Sequence, residues 1–133
     1  MKKQILIINH SKAIRFLLQT VMENEFQVIS VPDAYSAMHL LSKRNFPDLI
    51  ITDPQFPGME DWELIQHLSS NSIYSSIPIV ALSGLDEEET ASKCMEYGVH
   101  KFFLKPFDPV ELITSVHDII ESNAVAQHAV KFI

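Results

Sequence analysis

The chain has one cysteine, Cys94, so an internal disulfide and a cysteine-based zinc site are both closed to it. Glycine is scarce, with 3 in 133 residues, and no G-x-G-x-x-G or Walker loop is there to cradle a nucleotide phosphate. Cationic side chains are few as well: 10 Lys and Arg stand scattered against 17 Asp and Glu, for a net charge of −7. Nucleic-acid and anionic-membrane surfaces depend on clustered cations, so the expected partner is a protein or a small ion. No run approaches the ~20 apolar residues of a membrane span. The opening Met1-Lys2-Lys3 leads into an apolar run too short for a signal peptide, which makes a cytoplasmic location the expectation.

What is present is a 47% hydrophobic content, enough for one domain with a sizeable core and no second. Residues 1–122 are expected to form it, with 123–133 as a C-terminal tail that extends the last helix, covers a neighbour or frays. The pattern alternates. Gln4 to Ile8 reads as a strand, and Ile14, Leu17, Leu18 and Val21 recur at helical spacing over residues ~12–25. Gln27 to Val31 is a second strand; Asp33 then caps a helix carrying Ala37, Met38, Leu40 and Leu41. The run Leu49-Ile50-Ile51 predicts a strand buried on both faces, followed by a loop with Pro54, Pro57 and Gly58. A helix over Glu60 to Ser70, a strand at Pro78 to Leu82 and a polar helix at ~87–97 come next; the last of these is capped by Asp86 with Glu89 and stopped by Gly98. Lys101 to Leu104 is a fifth strand, and Asp108, Pro109 and Glu111 start a last helix with Leu112, Ile113, Val116, Ile119 and Ile120 on its core face.

Five strand-then-helix units imply a doubly wound parallel sheet with helices on both faces. The carboxyl ends of its strands open onto one rim, where such sheets hold their ligands. That rim gathers Asn9 and His10, Asp53, Ser83 and Gly84, and Lys105 with Pro106. Taken alone, Asp53 is a metal ligand, a nucleophile, a phosphate acceptor or a mere turn cap; Ser83 can be a helix cap and Lys105 a solvated lysine. Together, an Asp, a hydroxyl and a Lys around one crevice suit covalent phosphoryl chemistry, the carboxylate attacking while the other two stabilise the phosphoryl oxygens.

The chain resembles the receiver domains of bacterial two-component response regulators, chemotaxis regulators included. The resemblance covers residues 3 to about 121 and rests on Asp53 with Pro57, on Ala81-Leu82-Ser83-Gly84, and on Gly98 followed by Phe102 and Lys105-Pro106-Phe107. It implies a flavodoxin-like fold with strand order 2-1-3-4-5. It also implies Asp53 as phosphoacceptor, Ser83 as switch hydroxyl, Phe102 as switch aromatic, Lys105 as phosphate-binding lysine, and Gly84 as the small residue that leaves the phosphoryl group room. A histidine kinase or phosphotransfer protein would be the donor. An effector would bind the face made by the fourth helix, fifth strand and fifth helix, with a homodimer as a further option.

Where the family usually carries two acidic residues that hold Mg²⁺, this chain has Asn9 and His10. Magnesium prefers oxygen ligands, so Asp53, the Gln55 carbonyl and Asn9 are the candidate set of a weakened site. Phe56 stands where Met is commoner, and Asp61 where Gly is usual, so the loop after Asp53 is expected to bend differently. His10 is read as hydrogen-bonded to Asp53, or as a cation beside it, in preference to a ligand for Zn²⁺ or Ni²⁺. The other histidines (His39, His67, His100, His117, His128) are expected on the surface, Met22, Met38, Met59 and Met95 as core or loop fillers, and Trp62 partly exposed. A haloacid-dehalogenase-type phosphatase would need an Asp at position 55, and a flavodoxin a Gly-rich loop after strand one. Two readings remain: a receiver phosphorylated at Asp53, with no activity beyond its own phosphorylation and dephosphorylation, and a degenerate receiver that works purely by binding proteins.

Overall fold

The structure, a computed structural model, describes residues 2–130, with side-chain environments through residue 123. Ten elements alternate along the chain: β1 (Gln4–Ile8), α1 (Lys12–Met22), β2 (Gln27–Val31), α2 (Ala34–Ser42), β3 (Leu49–Thr52), α3 (Glu63–Ser70), β4 (Ile79–Ser83), α4 (Glu87–Tyr97), β5 (Lys101–Leu104) and α5 (Pro109–Val130). The strands pair in parallel in the order β2-β1-β3-β4-β5, the flavodoxin-like arrangement expected.

Apolar runs on both faces of the inner strands decide the layering. Ile5, Ile7, Leu49, Ile51, Val80 and Leu82 point to one side and pack with Leu18 and Met22 of α1 and Leu112, Val116 and Ile120 of α5. Leu6, Ile8, Ile50 and Ile79 point to the other, against Ala37 and Leu41 of α2 and Leu64 and Leu68 of α3. Successive strand side chains alternate in direction, so a strand covered on both faces needs an unbroken apolar run, and β3 is buried throughout.

Most helix ends fall where capping chemistry puts them. Asp33 and Asp86 accept Ser36 N–H and Glu89 N–H at 2.7 and 3.2 Å, Ser11 accepts Ile14 N–H at 3.2 Å, and Gly98 ends α4 in the left-handed region at φ 69°. Two starts and ends differ from the periodicity. The first helix stops at Met22, because Glu23 to Glu25 bring no apolar residue to its core stripe. The third begins at Glu63, not Glu60, because Trp62 takes φ 70° and turns the chain before the helix starts. That turn buries Trp62 to 2% exposure, correcting its expected partial exposure. Met95 is also corrected: at 87% exposure it fills nothing. The fifth helix runs unbroken across the boundary drawn at residue 122. The tail residues Val125, Ala129 and Val130, and His128, lack described side chains, and Phe132 and Ile133 lie outside the described residues.

Candidate functional site

The register that builds the sheet also builds the rim. Asp53 continues β3 by donating its N–H to Ile8 O at 3.3 Å, and Lys105 continues β5 by donating its N–H to Ser83 O at 2.9 Å. Asn9, likewise, donates N–H to Val31 O at 3.1 Å. Asn9, His10, Asp53, Gln55, Asp61 and Lys105 thereby line one open cavity of about 400 Å³.

Asp53 is buried, and both its carboxylate oxygens are engaged: Oδ1 accepts Gln55 N–H at 2.8 Å and Oδ2 accepts the Lys105 ammonium. The turn-cap reading of this residue therefore holds, and Lys105 adds a charge partner to it. The pair is asymmetric in burial, the Lys105 side chain being 28% exposed and that of Asp53 9%, so the ammonium reaches the carboxylate from the solvent side.

Asn9 is 1% exposed. Its Oδ1 accepts Ser11 N–H at 2.9 Å, which fixes the amide orientation and leaves Nδ2 buried without a partner. Behind it, Arg15 donates from Nη1 to Asn9 O at 2.6 Å and His10 O at 3.1 Å, a tie between α1 and the rim that sequence reading missed. His10 is exposed and makes no described hydrogen bond to Asp53, against expectation; Lys105 holds that place. Gln55 Nε2 leans toward Asp61 Oδ1 at 3.5 Å, so Asp61 belongs to the cavity wall. Among the described residues no three His, Cys, Asp or Glu side chains stand close enough to share a metal ion.

Ser83 and Phe102 do not line the cavity. Ser83 is fully buried; its Oγ accepts Leu85 N–H at 3.0 Å and lies 2.8 Å from Thr90 Oγ1. Phe102 is half-buried against a cluster of Trp62, Ile65, Ala81 and Cys94. In the same cluster, burial pushes the Cys94 thiol up to about 11, and Trp62 Nε1 has no hydrogen-bond acceptor. Gly84 is exposed, and a Cβ there would meet only Lys105 Cδ, at 4.0 Å, so an alanine fits without adjustment. Thr90 escaped sequence reading because α4 looks polar throughout, although Thr90 and Cys94, four residues apart, form its buried stripe.

A doubly wound sheet in this strand order, with an Asp, a hydroxyl and a Lys brought to its carboxyl rim, is the architecture of a receiver domain. Residues 5–117 match the response regulator receiver domain family, and the chain belongs to it. It is a signalling module of two-component systems, a family whose members interact with histidine kinases and effectors. It is 33% identical over 121 residues to the phosphate regulon transcriptional regulatory protein PhoB of Escherichia coli, a match covering 90% of this chain and 52% of that protein. The chain thus spans about half the length of the first curated relatives it matches. Among solved structures, the signal receiver domain of a histidine kinase from Syntrophus aciditrophicus superposes with a TM-score of 0.79 at 27% identity, over 90% of this chain and 91% of that one. Chemotaxis response regulator CheY4 of Vibrio cholerae shares the fold, with a TM-score of 0.77 at 22% identity, over 90% of this chain and 99% of that one. Among the described residues no helix is long and apolar enough to cross a membrane.

Proposed function

We propose that this domain accepts a phosphoryl group at Asp53 from a phosphohistidine of a sensor kinase or phosphotransfer protein, and that it does so slowly because Mg²⁺ helps it little. The observation that carries the reading is the Asp53–Lys105 pair, held in an open cavity at the rim. A carboxylate oxygen of Asp53 would attack phosphorus, the P–N bond to the donor imidazole would break, and the freed imidazole nitrogen would take a proton from water. Lys105 would pass from the carboxylate to a phosphoryl oxygen, and Ser83 would turn from α4 to donate to another.

The residues present fit Mg²⁺ poorly. The cavity offers no pair of acids beside Asp53: Asn9 Oδ1 already accepts from Ser11, His10 brings only nitrogen, and a lysine ammonium occupies the carboxylate. Loss of the acidic pair thus makes this an atypical receiver. Output would pass through the face of α4, β5 and α5, on whose elements Met95, Lys101 and Val110 are exposed, either to an effector or to a second copy of the chain. A cytoplasmic location suits such a donor, and neither nucleic acid nor membrane is a proposed partner.

One observation favours a second reading, a receiver that binds proteins without phosphorylation: both oxygens of Asp53 are already engaged. Treatment with acetyl phosphate, followed by peptide mass spectrometry, separates the two. Slow labelling at Asp53 that vanishes in Asp53→Asn supports the acceptor; no label at any Mg²⁺ concentration supports the binding module.

A further inference from the structure

Three threonines sit in described helices. Thr20 and Thr114 behave as helical threonines commonly do, their hydroxyls donating to the carbonyl four residues back, Phe16 O at 2.8 Å and Val110 O at 3.0 Å. Thr90 does not. Its hydroxyl makes no described bond within α4 and reaches instead out of the helix to Ser83 Oγ, 2.8 Å away, with both residues fully buried.

Either hydroxyl can donate in this bond. A hydroxyl donates once and accepts up to twice. Ser83 Oγ already accepts Leu85 N–H. Were Ser83 the donor, the Thr90 proton would be buried with no acceptor. If Thr90 donates, Ser83 Oγ accepts from both neighbours and keeps its own proton as a free donor. Either arrangement leaves one buried hydroxyl proton without a described acceptor, and in the second that proton is the one on Ser83, free to turn toward another oxygen.

We propose that Thr90 is a positioning residue, holding the Ser83 hydroxyl against α4 and tying the state of the acceptor site to that helix. The proposal rests on the reading of Ser83 as the hydroxyl that turns toward a phosphoryl group on Asp53. When Ser83 turns, it abandons Leu85 N–H and breaks the bond to Thr90 Oγ1, leaving the Thr90 hydroxyl without a partner in a dry environment, so the first turns of α4 must adjust. Thr90 stands one turn behind Cys94, which packs with Trp62 and Phe102, so the adjustment reaches the cluster under the proposed output face. Valine at position 90 would keep the shape and remove the latch; serine would keep the latch.

The test uses the full 133-residue chain and two measurements. Side-chain NMR couplings report the Ser83 χ1 rotamer without any ligand: one rotamer is expected in the parent and in Thr90→Ser, and rotamer averaging in Thr90→Val. Beryllofluoride binding in Mg²⁺, followed by the fluorescence of Trp62, reports the turned state: Thr90→Val should bind about threefold to tenfold tighter than the parent, the range one buried hydrogen bond supplies, and Thr90→Ser should match the parent. A single Ser83 rotamer in Thr90→Val, equal averaging in Thr90→Ser, or beryllofluoride affinity unmoved in Thr90→Val would each overturn the proposal. If no variant takes up beryllofluoride, the acceptor reading of Asp53 falls, and the rotamer measurement still decides whether Thr90 positions Ser83.

Discussion

Asp53 makes one bond that its turn would give to any aspartate in its place and one that only Lys105 gives, and the second sets its chemistry. Its position at the end of an apolar strand was legible, because a buried run followed by Pro and Gly marks where a strand delivers its last residue. The partners of Asn9 and His10 were not legible: which amide atom faces Ser11 and which cation wins Asp53 depend on three-dimensional register. Replacing Lys105 by Met leaves a buried carboxylate without its charge partner, so urea denaturation should show a loss of about 1–3 kcal/mol. Cys94 should stay protonated, and so resist thiol reagents at pH 8, until the protein unfolds. Its folded value of about 11 lies above the ordinary 9.0, so this thiol's contribution to stability is fully present below pH 9 and is lost as pH rises through about 11. Equal thiol labelling rates in native and urea-unfolded protein would contradict this burial.

At the scale of elements, strands and caps were read well because their causes are local: Asp33, Asp86 and Gly98 each act within one turn. The start of α3 was misread because a single positive φ at Trp62 leaves no trace in hydrophobic periodicity. The buried stripe of α4 was missed because one of its two residues is a threonine. Asp86→Ala removes the bond to Glu89 N–H and should cost about 1 kcal/mol in thermal denaturation. Gly98→Ala should cost a similar ~1 kcal/mol from backbone strain alone, because nothing lies within 4 Å of the added Cβ. In the middle of the sheet, Ile50→Asp puts an unpaired charge at a fully buried position of β3 and should unfold the domain. A circular dichroism melt like the parent's would mean that β3 is not the central buried strand.

For the whole molecule, the fold should survive changes on its rim, because the core positions on either face of the sheet do not involve Asn9 or His10. Changes at the site and integrity of the scaffold should therefore be separable. Partner binding should respond to Lys101 and Glu96 substitutions on the proposed output face; in a pull-down with the effector, loss on helix α1 changes alone would assign output elsewhere. The central claim is that the exchanged pair at positions 9 and 10, and not the Asp53, Ser83 and Lys105 set, limits phosphorylation. Its most direct test compares the parent with the double variant Asn9→Asp, His10→Asp, following acetyl phosphate labelling at Asp53 by mass spectrometry across a Mg²⁺ titration. The parent should label slowly and respond weakly to Mg²⁺, while the double variant labels at least tenfold faster, corresponding to about 1.4 kcal/mol or more of recovered barrier. Fast, Mg²⁺-dependent labelling of the parent, or a double variant no faster than the parent, would contradict the claim.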